Sequence, residues 1–143
     1  MPPRFRIVVD TNIFISAAIF KGEANRLVPL WQKGAVTFLM SEEILAEYIN
    51  ALSYPKFKLA DYEVKHIIET DIIPYIKPVK VDIELKIIDD DPSDNKFLCL
   101  AVKGKADYIV SGDKHLLDVG EFRKTRIVSL KKFLSFFPVP PSG

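Results

Sequence analysis

Short apolar runs rich in β-branched residues alternate with helical segments along this 143-residue chain. Strand-like runs cover residues 5–9, 36–40, 108–111 and 126–129, with a weaker one near 79–81. A parallel pair of strands needs a long crossover, and helices between strands supply one. The alternation therefore predicts an α/β fold in which helices cover both faces of a parallel sheet.

The predicted helices carry recognisable start and stop signals. Ser41 is a good N-cap, and the two glutamates after it suit the positive end of a helix that runs to about Leu52. Asp91 at N-cap, Pro92 at N1 and Asp94 at N3 open another helix, which ends at 103–104. Further helices are expected over residues 12–20, 23–32, 61–73, 114–117 and 130–137.

Length and composition are those of a chain that folds on its own hydrophobic core. The chain is 48% hydrophobic and 27% charged, so it lacks the low hydrophobicity and high net charge of disordered chains. A chain of this length buries enough surface to fold without a metal or disulfide staple. We expect one domain over residues 1–137 and a proline-rich tail over 138–143.

Charge and cysteine content exclude several classes of protein. A net charge of +1 gives no overall signature of nucleic-acid binding, so charge arguments must be local. Cys99 is the single cysteine, which excludes an internal disulfide framework and a four-cysteine zinc site. No signal peptide, membrane span or glycine-rich nucleotide fingerprint is present. We expect a cytoplasmic protein that contacts no membrane.

Acidic residues follow the predicted strands at the sheet edge where active sites of open parallel sheets lie. Asp10 ends the first strand, and Asp113 follows the strand at 108–111. Glu47 lies on the helix after the second strand, and Asp94 opens the helix before the strand at 108–111. Each has a simpler explanation when taken alone, as a helix cap or a solvated helix residue.

Electrostatic repulsion makes these four acidic residues more indicative of a functional site together than any one of them is alone. Two carboxylates about 4 Å apart repel by roughly 4 kcal/mol at an effective dielectric constant of 20. That is a large part of a typical folding stability of about 5–15 kcal/mol. Either the carboxylates stay apart, or a hard cation lies among them. Oxygen ligands favour Mg²⁺ or Mn²⁺, and such sites suit phosphodiester hydrolysis.

The motifs in their order along the chain resemble those of the PIN-domain nucleases. They are Asp-Thr-Asn at 10–12, Glu47 within a helix, Asp-Pro-Ser-Asp-Asn-Lys-Phe-Leu at 91–98, and Tyr-Ile-Val-Ser-Gly-Asp at 108–113. The branch that matches best is the VapC-related toxins of toxin–antitoxin systems, and the resemblance runs from Phe5 to Phe137. It implies a three-layer α/β/α sandwich with a central parallel sheet and a Mg²⁺- or Mn²⁺-dependent endoribonuclease.

The resemblance also assigns roles to individual residues. The metal-binding catalytic acids it implies are Asp10, Glu47, Asp94 and Asp113. Asn12 and Ser111 match small polar residues that orient carboxylates or substrate water, although the family usually has threonine at the second position. One or two divalent ions would lower the pKa of a bound water and polarise the scissile phosphate. By resemblance, the products carry a 5′-phosphate and a 3′-hydroxyl.

RNA capture and protein partners depend on weaker signals. Lys96 and Lys114 lie close in sequence to the acidic residues, so they are candidates for RNA phosphate contacts, unless they only solvate the surface. The resemblance implies a homodimer and an antitoxin that occupies the acidic pocket. The apolar segments 133–137 and 61–73 offer an interface, or they complete the core.

Other functional classes share parts of this pattern. A haloacid-dehalogenase-like phosphatase needs a second aspartate two residues after the first, and Asn12 stands there. A phosphoreceiver domain has the acidic edge but cleaves nothing. A non-catalytic RNA- or protein-binding scaffold would ignore metal, and a PIN-domain RNA-processing nuclease would lack the toxin role. RNA cleavage with Mn²⁺, stopped by EDTA, separates the nucleases from the others.

Overall fold

The computed structural model describes residues 4–89 and 92–138. Within these residues, six strands form one sheet, with the order β3-β2-β1-β4-β6-β5. The strands are β1 (Phe5–Val9), β2 (Val36–Met40), β3 (Ile76–Pro78), β4 (Tyr108–Val110), β5 (Glu121–Phe122) and β6 (Thr125–Val128). All neighbours pair in parallel except β5 and β6, which are antiparallel. The predicted α/β class and its mainly parallel sheet are confirmed.

The helices follow the predicted alternation. They are α1 (Thr11–Ile19), α2 (Leu27–Gln32), α3 (Glu42–Leu52), α4 (Asp61–His66), α5 (Asn95–Gly104), α6 (Lys114–Val119) and α7 (Leu130–Leu134). Ser41 caps α3 as predicted, because its Oγ accepts a hydrogen bond from the Ile44 N–H at 3.2 Å. Within the described residues, no helix combines the length and apolar character that a membrane span requires.

Adjacent residues of β2 show how the layers are arranged. Phe38 packs against Trp31 of α2, with ring centroids 4.7 Å apart. Leu39 faces Gly104 of α5 so closely that a Cβ there would lie 2.8 Å from Leu39 Cδ1. Successive strand residues point to opposite faces of a sheet, so α2 and α5 cover opposite faces. The central strand β1 is fully buried between them at Ile7–Val9.

The third strand and the helix at 61–73 differ from the sequence prediction. The strand expected near 79–81 lies at Ile76–Pro78, where β3 forms a sheet edge that tolerates a proline without an N–H. The helix expected over 61–73 is an α-helix only to His66 and continues as a π-helix over Ile67–Ile72, and a 3₁₀ turn over Ile73–Tyr75 that contains Pro74 follows it.

The sequence predicts β6 but neither β5 nor the hairpin that the two strands form. Its turn holds Arg123 and Lys124, with Arg123 at φ 56°, and lacks the glycine or asparagine that usually marks such turns. The sequence therefore carried no turn signal there.

The start of α5 also differs from the prediction. A 3₁₀ turn covers Pro92–Asp94 and α5 begins at Asn95, so Asp94 precedes the helix instead of occupying its third position. The predicted N-cap, Asp91, lies outside the described residues.

The C-terminal aromatic segment belongs to the core of its own chain. Phe133 is fully buried, and its ring lies 5.8 Å from that of Tyr108. The rings of Phe136 and Phe137 pack against Phe5 at 6.0 and 6.1 Å. The apolar surface of this segment therefore serves mainly to complete the core instead of forming an interface.

Asn95 fastens the connection between β3 and α5. Its Oδ1 accepts hydrogen bonds from the Ile87 and Ile88 N–H groups at 3.2 and 2.9 Å, and its Nδ2 donates to the Ile88 carbonyl at 3.1 Å. We expect Asn95→Ala to lower the free energy of unfolding by about 2 kcal/mol, because it leaves buried backbone polar groups without hydrogen-bond partners. Urea denaturation measures this loss. The exposed Asn50→Ala should change stability by less than about 0.5 kcal/mol, and equal effects would contradict the anchoring role.

Candidate active site

The predicted acidic edge forms where β1 and β4 end. Val9 pairs with Val110, and the Asp10 N–H donates to the Val110 carbonyl at 3.0 Å. From β1 the chain proceeds to β2 and β3 on one side and then to β4 on the other. Asp10 therefore lies at the switch point of the sheet, the place where α/β folds commonly bind ligands.

Ser111 connects Asp10 to Asp113. The fully buried Ser111 donates its hydroxyl to Asp10 Oδ2 at 2.5 Å. The same Oγ accepts a hydrogen bond from the Asp113 N–H at 2.9 Å. One hydroxyl thus fixes the orientation of the Asp10 carboxylate relative to the turn that carries Asp113.

Asp10 is held in an environment that disfavours its charge. The residue is 6% exposed, and burial raises the pKa of its carboxyl above the ordinary value of 3.8. Hydrogen bonds from Ser111 and the Thr11 backbone lower that pKa, while the negative charges of Asp113 and Glu47 raise it further. Glu47 and Asp113 therefore each lie within electrostatic range of Asp10.

Tyr48 fixes the helix that carries Glu47. Its hydroxyl donates to the Val9 carbonyl at the end of β1, and its ring stacks on Phe14 of α1 at 3.9 Å. Burial, with Asp10 and Glu47 nearby, raises the pKa of Tyr48 well above its ordinary value, so the phenol stays protonated as a donor. Helices α1 and α3 are thereby fastened to the strand end that leads into Asp10.

Both carboxylate oxygens of Glu47 have partners. Thr11 donates its hydroxyl to Oε2, and the Lys96 ammonium lies 2.5 Å from Oε1. The sequence had suggested separate roles for Glu47 and Lys96, as a metal ligand and a phosphate contact. Their pairing joins the first turn of α5 to the middle of α3.

The remaining predicted residues surround this edge. Asp94 is 7% exposed and directly precedes α5. Asp113 caps α6, because its Oδ1 accepts from the N–H groups of His115 and Leu116 at 2.8 and 3.2 Å. Asn12 and Lys114 are exposed in the first turns of α1 and α6.

The donor chemistry of the edge fits a hard cation. Its carboxylate oxygens are the ligands that Mg²⁺ and Mn²⁺ prefer, and a cation would relieve the unfavourable charge on Asp10. Across residues 4–89 and 92–138, however, no three His, Cys, Asp or Glu side chains are gathered as ready metal ligands. Glu47 could join such a set through Oε1 only if the Lys96 ammonium moved away from that oxygen.

Two cavities are lined by residues next in sequence to members of the acidic edge, or by Lys96. One, of about 670 Å³, is lined by Ile13 and Gly112, next in sequence to Asn12 and Asp113, and continues along α7 with Arg26 and Lys131 in its walls. The other, of about 560 Å³, lies between α5 and residues 81–89 and is lined by Lys96. Both are large enough to hold part of a ligand.

Comparison with known proteins agrees with the geometry. The family model for the PIN domain matches residues 6–115, so this chain belongs to the PIN domain family. The fold is similar to a chain in the crystal structure of VapBC2 from Rickettsia felis bound to a DNA fragment from their promoter. The TM-score is 0.58 at 12% identity, and the match covers 87% of this chain and 98% of that one. No curated protein sequence matches the chain.

Proposed function

We propose that the protein is a divalent-metal-dependent endoribonuclease, the toxin of a toxin–antitoxin pair. The observation that carries this proposal is the buried Asp10 at the switch point, held by Ser111 and facing the charges of Glu47 and Asp113. The membership of this chain in the PIN domain family supports a nuclease activity. A fold retains such unfavourable charge most readily when a bound cation compensates for it.

The carboxylates of Asp10, Glu47, Asp94 and Asp113 are the residues that would hold Mg²⁺ or Mn²⁺. When bound, such an ion supplies an activated water and polarises the scissile phosphate. Ser111 orients Asp10 through its hydroxyl, and Asn12 is exposed at the same edge to position water or substrate. Hydrolysis of this kind needs no side-chain nucleophile.

RNA is the substrate that we propose for this edge. The cavity beside Ile13 and Gly112 is mainly apolar, which suits a nucleobase next to the scissile phosphate. Arg26 and Lys131 line it, and the exposed Lys114 lies beside Asp113. Phosphate contacts, which supply most of the affinity of nucleic-acid complexes, are the role that we propose for these cations.

An antitoxin is the partner that we propose. One chain of similar fold comes from the crystal structure of VapBC2, and this similarity supports a cognate protein partner for this chain. An arginine of that partner would suit the acidic edge, because its planar guanidinium matches carboxylates in pairs. We place the pair in the cytoplasm, where its RNA substrates are.

A homodimer is also proposed. Large apolar side chains are exposed near α4, namely Tyr54, Tyr62, Ile73 and Tyr75. Patches of this kind often mark protein interfaces. Light scattering at micromolar concentration should give twice the mass of 16.2 kDa, and a monomer would contradict the dimer.

RNA cleavage is the decisive test of the activity. Purified protein with Mn²⁺ should cut an end-labelled single-stranded RNA and leave a 5′-phosphate, and EDTA should stop the reaction. A DNA of the same sequence serves as the control for substrate class. Cleavage that persists in EDTA would contradict metal dependence. Folded protein that cuts nothing would favour a non-catalytic scaffold.

The toxin role needs a separate test. Cells that express the chain alone should grow more slowly than cells that also express the adjacent reading frame. Equal growth of the two cultures, with nuclease activity present, would favour RNA processing as the role.

A further inference from the structure

Lys96 lies against the acidic edge as a largely buried cation. Its side chain is 13% exposed and that of Glu47 is 34% exposed, with the ammonium 2.5 Å from Glu47 Oε1. A second ion pair of α5, Lys103 with Asp82, is 3.1 Å long, with side chains 36% and 59% exposed. An exposed pair of that kind contributes little to stability, whereas the low exposure of Lys96 leaves its charge poorly screened.

The pair is embedded in the network around Asp10. Thr11 donates its hydroxyl to the second oxygen of Glu47, and the Thr11 backbone also forms a hydrogen bond with Asp10. The charge of Glu47 acts on Asp10 from this position. A cation on Glu47 therefore offsets part of the negative charge that the edge presents to Asp10.

The position also bears on metal binding. Glu47 is one of the four carboxylates that we propose as ligands, but its two oxygens are held by Thr11 and Lys96. A divalent ion that binds Glu47 through Oε1 must displace the ammonium, and one that binds through Oε2 meets the repulsion of the ammonium charge. The phosphate contact that the sequence suggests for Lys96 would share the ammonium with Glu47.

We propose that Lys96 is an exchangeable counter-cation of the acidic edge, which neutralises Glu47 in the metal-free protein and competes with a divalent ion for it. The exchange rests on the proposed function, since the competing ion is the one used for RNA hydrolysis. Lys96 is then a positioning residue that sets the metal affinity, and its release makes a positive charge available beside the edge.

Lys96→Met separates this role from that of an ordinary surface lysine. Without metal, in EDTA, the variant should melt about 4 °C below the wild type, because Glu47 loses its counter-charge. Calorimetric titration should show Mn²⁺ binding about tenfold more tightly, because the ion no longer competes with an ammonium. Lys103→Met is the matched control on the same helix, and neither quantity should change for it.

Glu47→Gln supplies the second arm of the test. In this background, Lys96→Met should no longer lower the melting temperature or tighten Mn²⁺ binding, because the carboxylate that the lysine neutralises is gone. A double-mutant cycle built from the four proteins measures this coupling.

The outcomes distinguish this inference from the proposed function. If Lys96→Met matches Lys103→Met in both measurements, or if it weakens Mn²⁺ binding, the counter-cation role is overturned. If neither the wild type nor Lys96→Met binds Mn²⁺, metal-dependent hydrolysis and the exchange both fall. The melts in EDTA then still decide whether Lys96 neutralises Glu47.

Discussion

We expect Asp10→Asn to abolish RNA cleavage and to leave the metal-free protein at least as stable as the wild type. Asparagine keeps the size of aspartate and an oxygen that accepts from Ser111, but it lacks the charge needed to hold a cation. Cleavage of labelled RNA and thermal melts in EDTA measure the two effects. The exposed Asp118→Asn is the matched control and should retain full activity.

The pH dependence of the same variant follows from the raised pKa of Asp10. Burial raises this pKa above 3.8 in the folded protein, so the ionised carboxylate destabilises the fold. Its cost develops as the pH rises from 3.8 through the folded-state pKa, and it is fully present above that value. In EDTA, the stability gained by Asp10→Asn should therefore grow with pH over this interval and then level off. A variant that is active and markedly less stable would show that Asp10 is a structural cap.

Mn²⁺ should stabilise the wild-type protein strongly. At a concentration of 100 times Kd, an ion that binds only the folded state adds about 2.7 kcal/mol to the free energy of unfolding. Thermal melts with and without Mn²⁺ measure this, with NaCl at matched ionic strength to correct for screening.

The shift should shrink in Asp10→Asn, Asp94→Asn and Asp113→Asn, because each substitution removes the charge of a proposed ligand. Asparagine also caps helices well, so the loss of the Asp113 charge should leave α6 capped. Superimposed melts of the wild type would contradict the acidic edge as a metal site.

The fold could be predicted because its signals are local. Apolar runs such as Val36–Met40 and caps such as Ser41 identify their elements without knowledge of the partners. Once the strands are taken as parallel, their carboxyl ends must share one edge. For this reason the meeting of Asp10 and Asp113 was predictable, and their electrostatic interaction agrees with it.

The details of the site depend on contacts between distant parts of the chain. Nothing in the spacing of residues 47 and 96 shows that their side chains meet, since the contact depends on how α3 and α5 pack. The sequence likewise indicates no role for Thr11, although its hydroxyl donates to Glu47 and so connects α1 to α3. Such contacts are set by tertiary packing, and the periodicity of hydrophobic residues along the sequence does not predict them.

The connection between β3 and α5 divides the acidic edge between two parts of the chain. Residues 4–78 supply Asp10 and Glu47, and residues 92–138 supply Asp94, Ser111 and Asp113. The two parts meet through the pairing of β1 with β4 and the contact of Lys96 with Glu47. A protein split within residues 79–86 would therefore carry an incomplete edge on each fragment. The proposed RNA cleavage would then appear only where other molecules bring the two fragments together, and it would signal the association of those molecules.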